Sequence, residues 1–233
     1  MTREICLDTE TTGLDPIKGH KIVEIGCVEI INKIKTDNAF HVYINPERDI
    51  PESAFKIHGI SSDFLKDKPK FSEVIEDFIE FIADSALVIH NAAFDMKFIN
   101  YELRQCNQEI IERHRVIDSL LMARNKFPGA GNSLDALCKR FHIDSSRRVK
   151  HGALLDAELL AEVYTELCGG RQKTMFEASA EKEKQQEDIK AVGINKKTVL
   201  ASRNFSPNKE DLDAHQEFLV KNFKQNPWKN YTL

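Results

Sequence analysis

The stretch "ICLDTETTG" (Ile5–Gly13) combines the pattern of a buried strand with two acids spaced two residues apart. Side chains alternate between faces along a strand, so Asp8 and Glu10 should share one face while Ile5 and Leu7 occupy the other. Two such carboxylates lie roughly 6–7 Å apart at the Cα level. Mutual repulsion and burial both oppose their ionisation. The two carboxylates at the end of this strand therefore need a positively charged partner.

The composition is that of a globular protein. The chain has 233 residues, of which 41% are hydrophobic and 30% are charged, which suits one domain plus a smaller appendage. It has no apolar run of about 18 residues and no N-terminal signal pattern. Five scattered cysteines without CxxC spacing argue against disulfides or structural zinc. We therefore expect a soluble cytoplasmic protein that makes no contact with membranes.

The net charge of −4 provides no general basic surface for nucleic acid. It does not exclude nucleic acid as a substrate, because a metal site can engage phosphate without a basic surface.

The order of elements predicts an α/β domain over residues 1–170. Apolar runs predict antiparallel strands first, and strand–helix alternation follows, which indicates a mixed sheet. A Ser near the start of "NSLDALCKRFHID" is expected to cap a helix. The further strands are predicted at "KIVEIGCVEIIN", "FHVYINP", "ALVIH" and around Val116, and the helices at "FSEVIEDFIEFIADS", "NAAFDMKFINYELRQ", "SLLMARNKF", "NSLDALCKRFHID" and "HGALLDAELLAEVYTEL".

The composition changes beyond residue 170. Residues 171–203 are largely polar and charged, which predicts a flexible linker. In residues 204–233, "SPNKEDLDAHQEFLVKNF" opens with Ser-Pro and early acids, the pattern of a helix N-terminus.

Two further acids occupy positions that should face the core. Asp156 extends backwards the apolar stripe of its helix, and Asp95 precedes Phe98 and Ile99 by three and four residues. Taken singly, such acids are often solvent-exposed, helix caps or partners of the helix dipole. Taken with Asp8 and Glu10, they form a set of four acids for which a divalent cation such as Mg²⁺ or Mn²⁺ provides one common explanation.

His151 lies five residues before Asp156, so the two would not share a helix face. If the helix begins after Gly152, the imidazole can move freely beside a metal-bound Asp156. Such a histidine can act as a general base that activates water. Alone, it would more simply be an exposed loop histidine.

Three stretches carry a resemblance. "LDTETTG", "HNAAFDMKF" and "HGALLDA" are similar to the three motifs of the DEDD-type 3′–5′ exonucleases, in the variant whose third motif carries His. The resemblance covers residues 3 to 170 and is closest to the proofreading subunits of bacterial DNA polymerase III. It implies a ribonuclease H-like fold, a bacterial replisome setting and removal of misincorporated nucleotides from primer 3′ ends.

The resemblance also implies roles for the acids and the histidine. Asp8, Glu10 and Asp156 would ligate one catalytic metal, and Asp8 would also hold a second. Asp95 would support the pair of divalent cations through water, and His151 would deprotonate the attacking water. Glu10 and Asp156 would also contact the substrate.

The family has further substrate contacts. A histidine in a "VHGI" context matches His58 of "KIHGI". Related chains read "PEAF" where this one has "PESAF", so either Glu52 is displaced by one position or Ser53 replaces the glutamate. The motifs also supply residues expected to hold the terminal nucleotide by stacking and backbone contacts: Phe94, Asn91 and Thr12.

The tail implies protein partners. "QKTMF" resembles the short motif that docks into the bacterial sliding clamp, through Gln172, Met175 and Phe176. The C-terminal segment resembles the one that binds the polymerase catalytic (alpha) subunit, and a small theta-like accessory subunit is a further partner. The residues expected to contact the catalytic subunit are Phe218, Phe223 and Trp228.

Two alternatives belong to different classes. The same fold and metals serve exoribonucleases, although those usually end after the nuclease domain. A scaffold with a vestigial site would lack at least one acid or the histidine, and all five are present. One energetic expectation follows from four unpaired acids: Asp156→Ala should relieve repulsion and leave the metal-free fold no less stable.

Overall fold

The computed structural model describes residues 2–148, 150–169 and 208–222. The chain divides into two compact units, residues 1–173 and 174–233. Among the described helices, none has the length and apolarity required to cross a membrane.

The first unit is built on one five-stranded sheet flanked by helices, which confirms the predicted α/β class with a mixed sheet. The strands lie in the order β3-β2-β1-β4-β5. Pairing is antiparallel from β3 to β1 and parallel from β1 to β5. The strands are β1 (Arg3–Thr11), β2 (Ile22–Ile31), β3 (Ile34–Tyr43), β4 (Ala86–Ile89) and β5 (Val116–Asp118).

The helices of this unit mostly follow the predicted segments. Ser133 caps one of them as expected, because its hydroxyl accepts the N–H of Ala136. The two shortest helices escape prediction, since seven residues or fewer show no clear apolar period. The α-helices are α1 (Glu52–His58), α2 (Ser62–Leu65), α3 (Phe71–Ile82), α4 (Ala92–Gln105), α5 (Ser119–Lys126), α6 (Leu134–Phe141) and α7 (Ala153–Leu167).

The third strand starts earlier than the sequence predicts. It begins at Ile34 rather than near Phe40. Asn32 and Lys33 adopt positive φ angles of 51° and 68°, so they form the tight two-residue turn of a β2–β3 hairpin. The first half of β3 is polar and mostly exposed, which hides the apolar alternation used to predict strands.

The central strand β1 separates two apolar clusters. Ile5 and Leu7 are fully buried against α3 and α4 on one face of the sheet. Cys6 is fully buried on the other face, where α5, α6 and α7 pack. The alternation predicted for β1 is therefore confirmed, and it directs Asp8 and Glu10 towards the start of α7.

Gly26 allows α7 to approach the sheet closely. It pairs with Asp8 across the β1–β2 ladder. A Cβ atom placed on Gly26 would lie only 2.3 Å from the backbone of Ala153 and Leu154 at the start of α7. Backbone atoms cannot move aside as a side chain can, so only glycine fits there. This contact brings the first turn of α7 beside Asp8.

Gly26→Ala is therefore expected to destabilise the protein by about 1–3 kcal/mol or more, because the helix must move off the sheet. Urea denaturation of the purified variant would measure the loss in the free energy of unfolding. Gly131→Ala is the matched control, since its Cβ would make an ordinary contact of 3.6 Å with Ala136. Equal stability of the two variants would contradict the close-approach argument.

The second unit contains one described helix, α8 (Lys209–Asn222), which confirms the predicted helical segment. Asn208 caps it, since its side-chain oxygen accepts the N–H of Asp211 at 2.7 Å. Leu212 and Phe218 are 40% and 56% exposed. The division into domains at residues 170 and 203 stays a prediction.

Candidate active site

Asp8 and Glu10 lie at the carboxyl end of β1. Asp8 is half-buried and Glu10 is only 8% exposed. The pairing with β2 shifts register between Glu10 and Thr11, and β1 ends at Thr11, one residue after the second acid. Both carboxylates therefore lie near the carboxyl end of the central strand, where β1 is followed by a loop.

Asp95 reaches the carboxyl end of β1 from α4. Strands β1 and β4 are parallel, so the helix that follows β4 begins beside the end of β1. The side chain of Asp95 is buried, and its Oδ1 accepts two hydrogen bonds from Thr9, at 3.1 Å from the backbone N–H and 2.7 Å from the hydroxyl. These bonds fix Asp95 to β1, next to Asp8.

Asp156 and His151 come from the start of α7. The helix begins at Ala153, so His151 precedes it, and its side chain is 49% exposed. Asp156 is buried in the first turn. Ligand atoms of Glu10, His151 and Asp156 all lie within 4.8 Å of one another. The structure thus brings the four predicted acids and the predicted histidine to one place.

The structure adds one residue that the sequence did not suggest. The guanidinium of Arg148 donates from Nε to Oδ1 of Asp156 at 2.5 Å and from Nη2 to Oδ2 at 2.7 Å. It also contacts Asp135 at 2.5 Å and lies 2.8 Å from Nδ1 of His151. Arg148 occupies the connection between α6 and α7, where no apolar period marks a position as buried.

Asp8, Glu10 and Asp95 have no ion pair with another described residue, and the charge of Arg148 offsets the pKa shifts of Asp8 and Glu10 only in part. Burial raises the pKa of Asp8 well above its ordinary value, and the carboxylates of Asp95 and Asp156 raise it further. Burial, followed by repulsion from Asp156, raises the pKa of Glu10 to about 8. Burial also raises the pKa of Asp95 to about 7, even though Thr9 donates hydrogen bonds to it.

Asp156 behaves differently. Burial would raise its pKa, but hydrogen bonds from His151 and Arg148 outweigh burial and lower it. The expectation of four unpaired acids is therefore wrong for Asp156, which has an ion pair in the metal-free protein.

These residues fit divalent cations. A cluster of buried carboxylates with raised pKa values is short of positive charge, and carboxylate oxygens are the ligands that Mg²⁺ and Mn²⁺ prefer. Glu10 and Asp156 offer such oxygens within 4.8 Å of each other, and Asp8 and Asp95 line the same cavity as Glu10.

The pKa of Glu10 predicts a pH dependence for the metal-free protein. A carboxyl group whose pKa is raised on folding binds protons more tightly in the folded state, so stability falls as the pH rises from about 4.5 through about 8. Melting temperatures measured in EDTA between pH 5 and pH 8 should fall less steeply in Glu10→Gln than in the unmodified protein. The exposed Glu109→Gln is the matched control. Parallel curves for Glu10→Gln and the unmodified protein would count against a raised pKa.

A cavity of about 370 Å³ opens beside the acids. His58 lies in its wall, only 6% exposed, and its Nδ1 accepts the N–H of Ile60 at 3.0 Å. Its Nε2 is buried without a hydrogen-bond partner among the described residues. Phe94, Asn91 and Ser53 also line this cavity, as do several residues that the sequence did not suggest: Thr11, Leu14, Ile57 and His90.

Two predicted substrate contacts lie elsewhere. Glu52 is 80% exposed and pairs with Lys56 at 2.7 Å on the outer face of α1, whereas Ser53 lines the cavity. Thr12 is buried, and its hydroxyl accepts the backbone N–H of Lys21, so its side chain is tied into the fold rather than the cavity. Of the two alternatives for the family's glutamate, Ser53 is the one that lines the cavity, and the substrate contacts of Glu52 and Thr12 stay predictions.

The predicted partner residues Gln172, Met175, Phe176, Phe223 and Trp228 lie outside the described residues, and only Phe218 of that set falls on α8.

Comparisons with known proteins agree with this site. Residues 5–164 match the family model described as Exonuclease. The DNA polymerase III subunit epsilon of Rickettsia felis is 54% identical over 220 residues, covering 93% of this chain and 95% of the relative. That of Escherichia coli is 45% identical over 223 residues, covering 93% and 91%.

A structural comparison supports the fold. The nuclease domain of 3′hExo, a DEDDh family member bound to rAMP, has a TM-score of 0.62 at 18% identity. The superposition covers 71% of this chain and 91% of that domain. The ribonuclease H-like sheet expected from the sequence is therefore confirmed.

The fold and the acid–histidine centre define a metal-dependent 3′–5′ exonuclease, and the chain belongs to the exonuclease family. Within that family it belongs with the epsilon subunits of DNA polymerase III.

Proposed function

We propose that this chain removes misincorporated nucleotides from the primer 3′ end, as the proofreading subunit of a bacterial DNA polymerase III in the cytoplasm. The observation that carries the proposal is the convergence of four carboxylates and one histidine at the edge of a cavity. The identity of 45–54% to epsilon subunits over nearly the whole chain favours DNA over RNA as the substrate.

The carboxylates would hold two divalent cations, Mg²⁺ or Mn²⁺. When bound, such a pair stabilises the negative charge on the attacking and leaving oxygens of the phosphodiester. The protein's part is to fix its ligands before substrate arrives: β1 holds Asp8 and Glu10, Thr9 orients Asp95, and Gly26 admits the helix that carries Asp156.

His151 would accept the proton of the attacking water. Its Nδ1 lies 3.2 Å from Oδ2 of Asp156 and 2.8 Å from Nη2 of Arg148. Its Nε2 has no partner among the described residues, so this nitrogen is the one able to take a proton. The exposure of the ring, at 49%, lets water reach it.

The cavity would hold the terminal nucleotide. Phe94 offers a ring face for stacking, and its position is fixed by Phe98, whose ring centroid lies 5.2 Å away. Burial lowers the pKa of His58, so the neutral ring, which accepts at Nδ1, carries its proton on Nε2. That unpaired donor would bind a substrate oxygen. Ser53 would take the position of the family's glutamate.

The experiment is time-resolved release of mononucleotides from a primer–template with a 3′ mismatch, in Mg²⁺, Mn²⁺ or EDTA. We expect metal-dependent release of 5′-monophosphates, faster from the mismatched end than from a paired end. A single-stranded RNA of the same sequence serves as the comparison. Degradation of RNA much faster than DNA would overturn the proofreading role in favour of an exoribonuclease.

The tail would tether the nuclease to its partners. Residues 204–233, with Phe218, Phe223 and Trp228, would bind the polymerase alpha subunit, and a theta-like subunit would bind in addition. Exposed apolar side chains on α8, such as Phe218, suit a helix that docks on another protein. Tethering raises the effective concentration of the nuclease at the primer end.

Replacing Met175 and Phe176 by Ala should weaken binding to the sliding clamp about tenfold or more, because paired apolar anchors dominate short docking motifs. Hydrolysis of free single strands should not change. Surface plasmon resonance against the clamp, with Thr174→Ala as the control, measures the first effect. Equal clamp affinities for the two variants would rule out this docking role.

A further inference from the structure

Arg148 is the buried cation of the acid centre. Its side chain is only 8% exposed, and it carries hydrogen bonds to Asp156 and Asp135 and a contact with His151. Nε and Nη2 engage the two oxygens of Asp156 separately, which is the bidentate geometry in which guanidinium pairs are strongest. A cation held this way is part of the centre rather than a surface charge.

The same carboxylate belongs to the candidate metal cluster. Asp156 is one of the three groups whose ligand atoms lie within 4.8 Å of one another, together with Glu10 and His151. Both of its oxygens are already hydrogen-bonded to Arg148. A metal ion that takes either oxygen meets a positive guanidinium at close range, so the two cations compete for one carboxylate.

Arg148 has a second anchor that does not belong to the cluster. Its Nη1 donates to Asp135 of α6, a residue whose side chain is 58% exposed. A guanidinium that releases Asp156 therefore keeps one ion pair, and its charge is not left alone. This second pair lowers the free energy needed to move Arg148 off Asp156.

We propose that Arg148 is a positioning residue: its ion pair holds the Asp156 carboxylate in place in the metal-free enzyme and breaks when that carboxylate binds the metal. This inference rests on the metal site proposed above. Metal binding is then an exchange of one cation for another, and Arg148 sets the metal concentration at which the enzyme becomes active. In the metal-free state it keeps Asp156 ionised and in place, ready for the metal.

Isothermal titration of the full-length chain with MgCl₂ and with MnCl₂ tests the exchange. Arg148→Ala should bind metal about tenfold more tightly than the unmodified protein, because no ion pair has to be broken. Arg148→Lys should lie between them, since an ammonium cannot pair in bidentate fashion. Arg147→Ala is the matched control: it removes the same charge one residue away, from a side chain that is 77% exposed and paired with Glu158.

A second readout separates exchange from a structural role. Arg148→Ala should lower the melting temperature in EDTA more than in saturating Mg²⁺, because the ion pair exists only without metal. In the unmodified protein, the Nε–H resonance of Arg148, assigned by its loss in Arg148→Lys, should shift in step with metal occupancy. The shift itself is followed in the unmodified protein, and the variant serves only for the assignment.

The outcomes are distinct. If the unmodified protein binds neither metal, both the proposed metal site and the exchange are overturned. If it binds metal but Arg147→Ala tightens binding as much as Arg148→Ala, the effect is general charge and the exchange is refuted. Equal losses of melting temperature with and without Mg²⁺, or an unmoved Nε–H resonance at saturation, would refute it independently.

Discussion

Asp8→Asn is expected to lower the exonuclease rate by on the order of 10³-fold or more while raising the melting temperature of the metal-free protein. Activity falls because Asn cannot supply the charged ligand that two cations would share. Stability rises because burial, and then repulsion from the carboxylates of Asp95, Asp156 and Glu10, raise the pKa of Asp8 and oppose its ionisation. Asn keeps the size of the side chain and removes the charge.

Mononucleotide release in Mg²⁺ and thermal melting in EDTA at pH 8 measure the two effects of Asp8→Asn. The control is Asp77→Asn, the same replacement on the exposed face of α3, which should leave both quantities unchanged. A fall in the metal-free melting temperature of Asp8→Asn would show that Asp8 has a stabilising partner, and would contradict the repulsion argument.

Asp156→Ala should abolish activity to a similar extent but have the opposite effect on stability. Asp156 is paired with Arg148 through both oxygens. Removing Asp156 leaves the guanidinium of Arg148, whose side chain is only 8% exposed, without this ion pair. Breaking a buried ion pair on one side costs about 3–5 kcal/mol, and the remaining pair with Asp135 reduces this to about 2–3 kcal/mol. The metal-free protein should therefore lose stability, contrary to the expectation from sequence.

Urea denaturation in EDTA gives the free energy of unfolding for Asp156→Ala, Arg148→Ala and the double variant. In the double variant the loss should be smaller than the sum of the two single losses, because each single change already breaks the same pair. Additive losses, or an Asp156→Ala variant as stable as the unmodified protein, would mean that the pair contributes nothing to the metal-free fold.

The contrast between Asp8 and Asp156 shows which features of the site a local sequence pattern predicts and which it does not. The alternation of β1 predicted that Asp8 and Glu10 share a face, and helical periodicity predicted that Asp95 and Asp156 face inward. Both rules depend only on the geometry of one strand or one helix. The structure places all four together because β1 and β4 are parallel and because α7 crosses the sheet at Gly26.

The amino-acid sequence by itself determined the class of fold, the order of the main elements and the set of acids and histidine at the centre. Tertiary structure alone decided that Ser53 rather than Glu52 lines the cavity, and that Arg148 pairs with Asp156. These outcomes depend on the direction of side chains in short helices and connections, where no period of 2 or 3.6 residues constrains them. Which charges neutralise one another is decided by distance in the folded chain, and a sequence pattern does not contain that distance.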